Sequence, residues 1–119
     1  MILELHHLQI AMPKGGEAAA RGFYGTVLGL QEVEKPEVLR GRGGLWFEAG
    51  AVRIHLGIEG PFVAAKKAHP GLRVASLAEA EAWLQAKAVP FRRDQDLPDM
   101  RRVHVEDPFG NRLELLELR

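Results

Sequence analysis

Histidine and glutamate side chains with metal-binding potential lie at alternating positions near the C-terminal end of the sequence. Residues 103–106 and 112–116 alternate apolar and polar side chains on either side of an Asp-Pro-Phe-Gly-Asn run at 107–111, which predicts a β-hairpin. Because side chains of a strand alternate between two faces, His104 and Glu114 share one face and the neighbouring valines and leucines share the other. Imidazole and carboxylate groups that converge from different strands are the ligands of divalent transition metals. Whether His104 and Glu114 form part of a metal site depends on the side chains that other strands place on the same face.

The other predicted strands show the same alternation, which predicts one polar and one apolar face for the sheet that they form together. The predicted apolar side consists of Leu8, Ile10, Val52, Ile54, Leu56, Leu72, Val74, Val103, Val105, Leu113 and Leu115. The predicted polar side consists of His7, Gln9, Trp46, Arg53, His55, His69, Arg73, His104 and Glu114. Four of the five histidines are thus predicted to share one face, whereas His6 is predicted to face the core.

The order of predicted elements repeats once along the chain. A strand at 3–12, a helix at 17–28, a strand at 30–35 and a hairpin at 45–48 and 52–57 are followed by a linker at 58–68. A strand at 69–75, a helix at 77–87 with Ser76 as N-cap, a strand at 89–94 and the C-terminal hairpin then follow. Two β-α-β-β-β modules (1–57 and 69–119) in a single domain of residues 1–119 indicate an α+β fold.

Alignment of the two modules pairs the candidate ligands. His7 is equivalent to His69, and His55 is equivalent to Glu114. A pseudo-twofold axis would bring these four side chains together, whereas His104 is predicted to form a pocket wall or to contact substrate. A lone histidine on a half-exposed strand is usually only solvated, but four on one face favour a metal-ligand set.

Composition narrows the possible partners. The 16 basic and 16 acidic side chains cancel and are interspersed, which argues against a nucleic-acid or membrane surface. The sequence has no cysteine and no apolar run long enough to span a membrane. It also begins without a signal-peptide pattern, so a cytoplasmic location is expected. The expected partners are a small molecule and a second copy of the chain, because two modules leave strand edges exposed and a homodimer would cover them.

Four segments together resemble the vicinal oxygen chelate superfamily, which includes glyoxalases, bleomycin resistance proteins and extradiol dioxygenases. The segments are His-Leu-Gln-Ile at 7–10, Phe-Tyr-x-x-Val-Leu-Gly-Leu at 23–30, His-x-x-Leu-Arg-Val at 69–74, and Glu-Asp-Pro-x-Gly-Asn-Arg-Leu-Glu-Leu at 106–115. The resemblance covers essentially the whole chain. It implies a cupped, mixed eight-stranded sheet with helices on its convex face. The family's metal positions correspond to His7, His55, His69 and Glu114, although bacterial glyoxalases have Glu where this chain has His55.

The resemblance implies a metal-dependent lyase or isomerase that chelates its substrate through two adjacent oxygens. His7, His69 and Glu114 would hold a divalent ion (Ni, Zn, Mn, Fe or Co), and His55 would be a fourth ligand or, with Glu114, a catalytic group. Gln9, Trp46, Arg73 and His104 would bind substrate. The alternatives are a metal-free drug-binding protein of the bleomycin-resistance type, a dioxygenase or thiol transferase of the same fold, and a vestigial domain used only for dimerisation.

Overall fold

The computed structural model describes all 119 residues, which form two compact units, Met1–Ala64 and Ala65–Arg119. Each unit contains one four-stranded sheet and one helical segment in the order β-α-β-β-β, so the predicted α+β class and the two repeated modules are confirmed. The eight strands are divided between two sheets of four. No helix is long and apolar enough to cross a lipid bilayer.

The first unit is built on the strand order β1-β4-β3-β2. Its elements are β1 (Leu8–Met12), α1 (Glu17–Ala20), a π-helical segment (Arg21–Val27), β2 (Gln31–Val33), a 3₁₀ helix (Glu37–Arg42), β3 (Leu45–Ala49) and β4 (Val52–Ile58). The central strand β4 runs parallel to β1 and antiparallel to β3. The buried side of this sheet carries Ile10, Met12, Leu45, Phe47, Ile54 and Leu56.

The helical segment of the first unit widens after one turn. Residues 17–28 were predicted to form a single α-helix, but the chain becomes π-helical from Arg21, and the N–H of Leu28 bonds to the carbonyl of Phe23 at 2.8 Å. The wider turn places the adjacent residues Phe23 and Tyr24 on the buried side together. Tyr24 lies 5.8 Å from Phe47 between ring centroids, which joins the helix to the sheet.

The second unit has the equivalent strand order β5-β8-β7-β6. Its elements are β5 (Gly71–Arg73), α2 (Leu77–Ala86), β6 (Phe91–Arg93), β7 (Met100–Glu106) and β8 (Arg112–Leu118). The predicted N-cap is confirmed, because the N–H of Glu79 donates to Oγ of Ser76 at 3.2 Å. Glu117 of β8 also accepts the N–H of Leu77 at 2.6 Å, which attaches the start of α2 to the sheet.

The turn at 107–111 is closed by its own side chains. Oδ1 of Asp107 accepts the N–H groups of Phe109 and Asn111 at 2.9 and 2.8 Å, and its Oδ2 accepts from the Asn111 amide at 2.9 Å. Gly110 adopts φ 88°, a conformation that favours glycine. Oδ1 of Asn111 in turn accepts the N–H of Ala65 at 2.9 Å. The predicted hairpin is therefore confirmed, and its turn also anchors the start of the unit.

Several strand boundaries differ from the prediction. The first strand begins at Leu8 and not at residue 3, because Leu8 is the first residue that pairs with β4. As a result His6, which was predicted to face the core, is exposed. The predicted strand at 69–75 is reduced to Gly71–Arg73, since Pro70 has no N–H for a ladder. Val52, predicted to be buried, is 41% exposed at the end of its hairpin.

Candidate functional site

One row of paired residues crosses the middle of the second sheet. Glu114 of β8 lies opposite Gly71 on one side and His104 on the other, and His104 lies opposite Arg92 of the edge strand β6. Paired residues on neighbouring strands point to the same face. Glu114 and His104 are nevertheless buried, with 8% and 7% of their surfaces exposed. The polar side of this sheet is therefore largely covered at its centre, where a half-solvated face was expected.

Glu114 is held between a histidine and an arginine. Nε2 of His69 lies 3.2 Å from Oε2 of Glu114, and Arg102 lies 3.4 Å from Oε1. The other ring nitrogen of His69 contacts the carbonyl oxygen of Lys67 at 2.8 Å, a bond in which Nδ1–H is the donor. Nε2 of a neutral His69 then presents a lone pair to a carboxylate oxygen. Such a contact requires a positive charge between the two acceptors, either a proton or a metal ion.

His104 is oriented by an acidic residue that follows β6. Nε2 of His104 donates to Oδ2 of Asp94 at 2.8 Å, and Arg102 contacts the same oxygen at 3.4 Å. The hydrogen bond from His104 is the main reason that the pKa of Asp94 is lowered, with a further contribution from the N–H of Gln95. Nδ1 of His104 is buried and has no hydrogen-bond partner. The ring also makes an edge contact with the ring of His69, with 5.6 Å between centroids.

The first sheet has an equivalent row, in which aromatic rings replace the charged groups. His55 of β4 lies opposite Gln9 of β1 and Trp46 of β3. The rings of Trp46 and His55 are stacked at 4.0 Å with an interplanar angle of 4°. His7 stacks on His55 at 4.4 Å and 19°. Because β4 is the central strand, the His55 ring lies between the other two.

The surroundings of His55 favour its neutral form. Burial lowers the pKa of His55, and a charge on the neighbouring His7 lowers it further, against an opposing effect of Glu48. No protein hydrogen bond uses the ring nitrogens of His55, whose ring contacts are the two stacks. A neutral imidazole with available nitrogens is suited to bind a metal ion or to accept a proton.

The predicted site residues fall into two groups, one in each unit. His7, Gln9, Trp46 and His55 come together in the first, and His69, His104 and Glu114 come together in the second. Arg73 is on the same side of β5 as Gly71 and is exposed. The Gln9 side chain packs against Gly57. A Cβ at position 57 would lie only 2.5 Å from Nε2 of Gln9, so this packing requires a glycine. No group of three or more histidine, aspartate or glutamate side chains has an arrangement that could hold a metal ion by itself.

Three residues near the site were missed by the sequence analysis. Arg102 shares the parity of His104 on β7, so extending the alternation by two residues would have identified it. Asp94 follows a three-residue strand and has no periodic signal. His6 was assigned to the core, yet its Nδ1 lies 3.0 Å from Nδ1 of His7, because the chain before Leu8 leaves the strand conformation.

Both units are βαβββ modules, and each has a candidate ligand, His55 on β4 or Glu114 on β8, on a strand that is paired on both sides. The protein is thus an α+β protein built from two such modules. The profile of the Glyoxalase/Bleomycin resistance protein/Dioxygenase superfamily matches residues 5–115. The chain therefore belongs to this superfamily, as the resemblance of its motifs indicated.

Solved structures agree with this assignment. A glyoxalase family protein from Bacillus anthracis is 42% identical, with a TM-score of 0.96 over 100% of this chain and 98% of that one. The fosfomycin resistance protein FosX from Listeria monocytogenes is 15% identical, with a TM-score of 0.76 over 98% and 94%. TnmS3, an antibiotic binding protein from Streptomyces sp. CB03234, is 20% identical, with a TM-score of 0.77 over 100% of both chains. These last two share the fold. No match was found among curated proteins.

Proposed function

We propose that this chain is a metal-dependent enzyme of the lyase or isomerase type that binds a small substrate through two adjacent oxygen atoms. The observation that carries this proposal is the contact between His69 and Glu114. Two residues that are 45 positions apart in sequence, one just before β5 and the other on β8, present a nitrogen and an oxygen to each other at 3.2 Å. The superfamily membership of the chain is consistent with this chemistry.

The His69–Glu114 geometry fits a bound metal ion. Two ligand atoms that each lie about 2.1 Å from one ion, at right angles, are about 3.0 Å apart. The Nε2–Oε2 distance of 3.2 Å is close to that value. The contact between His69 Nδ1 and the Lys67 carbonyl also has the form expected of a metal-binding histidine, because a hydrogen bond on one ring nitrogen leaves the other free to coordinate.

The first unit contains two further candidate ligands. His7 and His55, which the repeat makes equivalent to His69 and Glu114, have their rings 4.4 Å apart. The lowered pKa of His55 favours the neutral form that coordination needs. We propose His7 as a ligand, and His55 as a fourth ligand or, with Glu114, as a group that moves a proton on the substrate. A divalent ion held here would act as a Lewis acid on the substrate oxygens.

The substrate would contact side chains that border the two rows. The Trp46 indole offers an aromatic surface, and Gln9 offers an amide on the same side of the sheet. In the second unit His104 lies beside Glu114, and Arg73 provides a cation for an acidic group. We propose these four residues as the substrate-binding set.

A metal-free binding protein is the second candidate, and the ring stack favours it. Trp46, His55 and His7 form a layered aromatic surface on which a planar ligand could pack. Such a protein would retain its ligand affinity after complete removal of metal. The metal-dependent enzyme would lose it.

Metal titration of matched variants distinguishes the two candidates. Protein purified without chelator is assayed for metal content, and Ni²⁺, Zn²⁺, Mn²⁺, Fe²⁺ and Co²⁺ are titrated by calorimetry. We expect near-stoichiometric binding of at least one ion and an affinity at least about tenfold lower in Glu114→Gln, since a change in or beside a metal site typically costs this much. Glu106→Gln is the control, because Glu106 is an exposed glutamate on the adjacent strand β7. Wild-type affinity in Glu114→Gln would reject the metal centre, and no uptake of any ion would favour the binding protein.

A further inference from the structure

Arg102 lies on the same face of the second sheet as the proposed metal ligand Glu114. It precedes His104 by two residues on β7, and His104 is paired with Glu114 of β8. The Arg102 side chain is 22% exposed. Its Nη1 lies 3.4 Å from Oε1 of Glu114, its Nη2 lies 3.4 Å from Oδ2 of Asp94, and its Nε donates to the carbonyl oxygen of Gln95 at 3.4 Å. The guanidinium group is thereby held between β8 and the segment that follows β6.

Arg102 places a permanent positive charge beside Glu114. A guanidinium group stays protonated in proteins, so this charge does not change with pH. Its planar fork presents donors in fixed directions, which lets one nitrogen face Glu114 while another faces Asp94. The neighbouring Arg101 is on the opposite face of β7 and pairs with Glu117 at 3.3 Å.

The two carboxylate oxygens of Glu114 have different partners. Oε1 faces Arg102 at 3.4 Å, whereas Oε2 faces Nε2 of His69 at 3.2 Å. A divalent ion bound to Nε2 of His69 would therefore meet Oε2. Oε1 lies next to a fixed cation, which repels the ion and competes with it for the lone pairs of that oxygen.

We propose that Arg102 is a positioning residue that restricts Glu114 to one coordinating oxygen, Oε2. This inference rests on the proposed function and narrows its metal. Carboxylate oxygens suit Mn²⁺, whereas imidazole nitrogens suit Zn²⁺ and Ni²⁺. A second oxygen from Glu114 would help Mn²⁺ more than Zn²⁺. Arg102 withholds that oxygen and so makes the site more selective for ions of the Zn²⁺ and Ni²⁺ type.

The ratio of two metal affinities tests this role. Zn²⁺ and Mn²⁺ are each titrated by calorimetry into the metal-free full chain of the wild type and of Arg102→Met, which removes the charge and keeps a long, flexible side chain. We expect the Zn²⁺-to-Mn²⁺ affinity ratio to fall about tenfold in the variant, because changes to the hydrogen-bond partner of a metal ligand have effects of at least this size.

A purely structural role of Arg102 would not change this ratio. General loosening of the sheet weakens both ions alike, and the loss of a repelling charge strengthens both alike, since both are divalent. The intrinsic preference of nitrogen and oxygen sites for Zn²⁺ over Mn²⁺ is present in every variant and cancels in the comparison. Only a change in what Glu114 offers to the ion separates the two affinities.

Arg101→Met is the matched control. It removes the same charge one residue away, but Arg101 pairs with Glu117 on the other face of the sheet. Its affinity ratio should equal that of the wild type. The inference is overturned if Arg102→Met keeps the wild-type ratio, if both variants lower the ratio equally, or if Mn²⁺ binds to neither the wild type nor Arg102→Met.

Infrared spectra of the wild type provide a measurement that does not depend on a folded variant. The difference between metal-loaded and metal-free spectra isolates the carboxylate that changes on binding, and Glu114 is the only carboxylate in the proposed ligand set. We expect a wide separation of its two stretching bands, the signature of coordination through one oxygen, with every ion that binds. A narrow separation, which indicates coordination through both oxygens, would overturn the role of Arg102.

These outcomes separate the inference from the proposed function. If neither ion nor any other divalent metal binds to the wild type, the proposed metal-dependent enzyme fails and the role of Arg102 fails with it. If metal binds and is weakened by Glu114→Gln, but the affinity ratio in Arg102→Met is unchanged, the proposed function stands and only the inference about Arg102 fails.

Discussion

Glu114 and His55 occupy equivalent positions of the two modules but have different surroundings. Glu114 is flanked by Arg102 at 3.4 Å and by His69 at 3.2 Å, an environment that suits an anion. His55 is buried between the rings of Trp46 and His7, and both the burial and a charge on His7 favour its neutral form. These different surroundings are both compatible with the metal-ligand role that we propose for the two positions.

The lowered pKa of His55 predicts a pH-dependent contribution to stability. The ordinary pKa is 6.5, and burial and His7 hold the folded value below it. Between the two values the unfolded chain binds more protons, so this contribution is complete above about pH 6.5 and is lost as the pH falls through that value towards the folded pKa. We expect the free energy of unfolding to fall between pH 7.5 and 5.5, with a smaller slope in His55→Gln. Urea denaturation at several pH values provides the measurement.

A conservative core change controls for general destabilisation. Ile54→Val, on the same strand, should cost about 0.5–1.5 kcal/mol and leave the slope with pH unchanged, since no titrating group is altered. An identical slope in the wild type and in His55→Gln would show that the ring titrates alike in the folded and unfolded chain.

At the scale of secondary structure, the C-terminal hairpin positions the candidate site residues of the second unit. Strands β7 and β8 pair over their full length, from Met100–Leu118 to Glu106–Arg112, and this register sets His104 beside Glu114. The register is fixed at the closed end by the turn at 107–111, whose Asp and Asn side chains are buried. The turn residues of the motif that identified the family therefore have a structural role.

Asp107→Ala is expected to destabilise the chain by about 1–3 kcal/mol. The change removes the side-chain acceptor of the partly buried Phe109 N–H and of the buried Asn111 N–H and amide, and loss of a buried hydrogen-bond partner costs about this much. Urea denaturation followed by circular dichroism gives the difference. Asp99→Ala is the control, because the Asp99 side chain is exposed and its hydrogen bond uses the backbone carbonyl. Equal unfolding midpoints for the two variants would contradict the structural role of the turn.

At the scale of the whole molecule, each sheet ends in strands that pair on one side only. These are β1 and β2 in the first sheet and β5 and β6 in the second. Exposed edges of this kind favour association with another chain. The apolar side chains of Met1, Ile2, Leu3 and Leu5 are also exposed, which adds surface that water disfavours.

We therefore predict a homodimer. Light scattering coupled to size-exclusion chromatography should give twice the chain mass of 13.2 kDa, because burial of edge strands and exposed apolar side chains stabilises the dimer. The mass should remain at this value over a tenfold range of protein concentration. A mass of one chain at the highest concentration would rule the dimer out.

The sequence alone was sufficient to identify the repeat, the family and the side chains that lie on the same face of the sheet within each module. Alternation along a strand has a period of two, so the sequence is sufficient to assign His104 and Glu114 to one face. The turn residues at 107–111 fixed the hairpin register by local chemistry. The predicted equivalence of His55 with Glu114 is confirmed, because the two residues have matching places in the two rows.

Only the tertiary structure decided the length of the strands and the partners of the site residues. The first strand begins at Leu8, because pairing with β4 begins there, and no pattern in residues 3–7 encodes that limit. The Trp46–His55–His7 stack, the Asp94–His104 bond and the Arg102–Glu114 contact join residues from different elements. Such contacts depend on loop conformation and on which strands become neighbours, and periodicity within one segment carries information about neither.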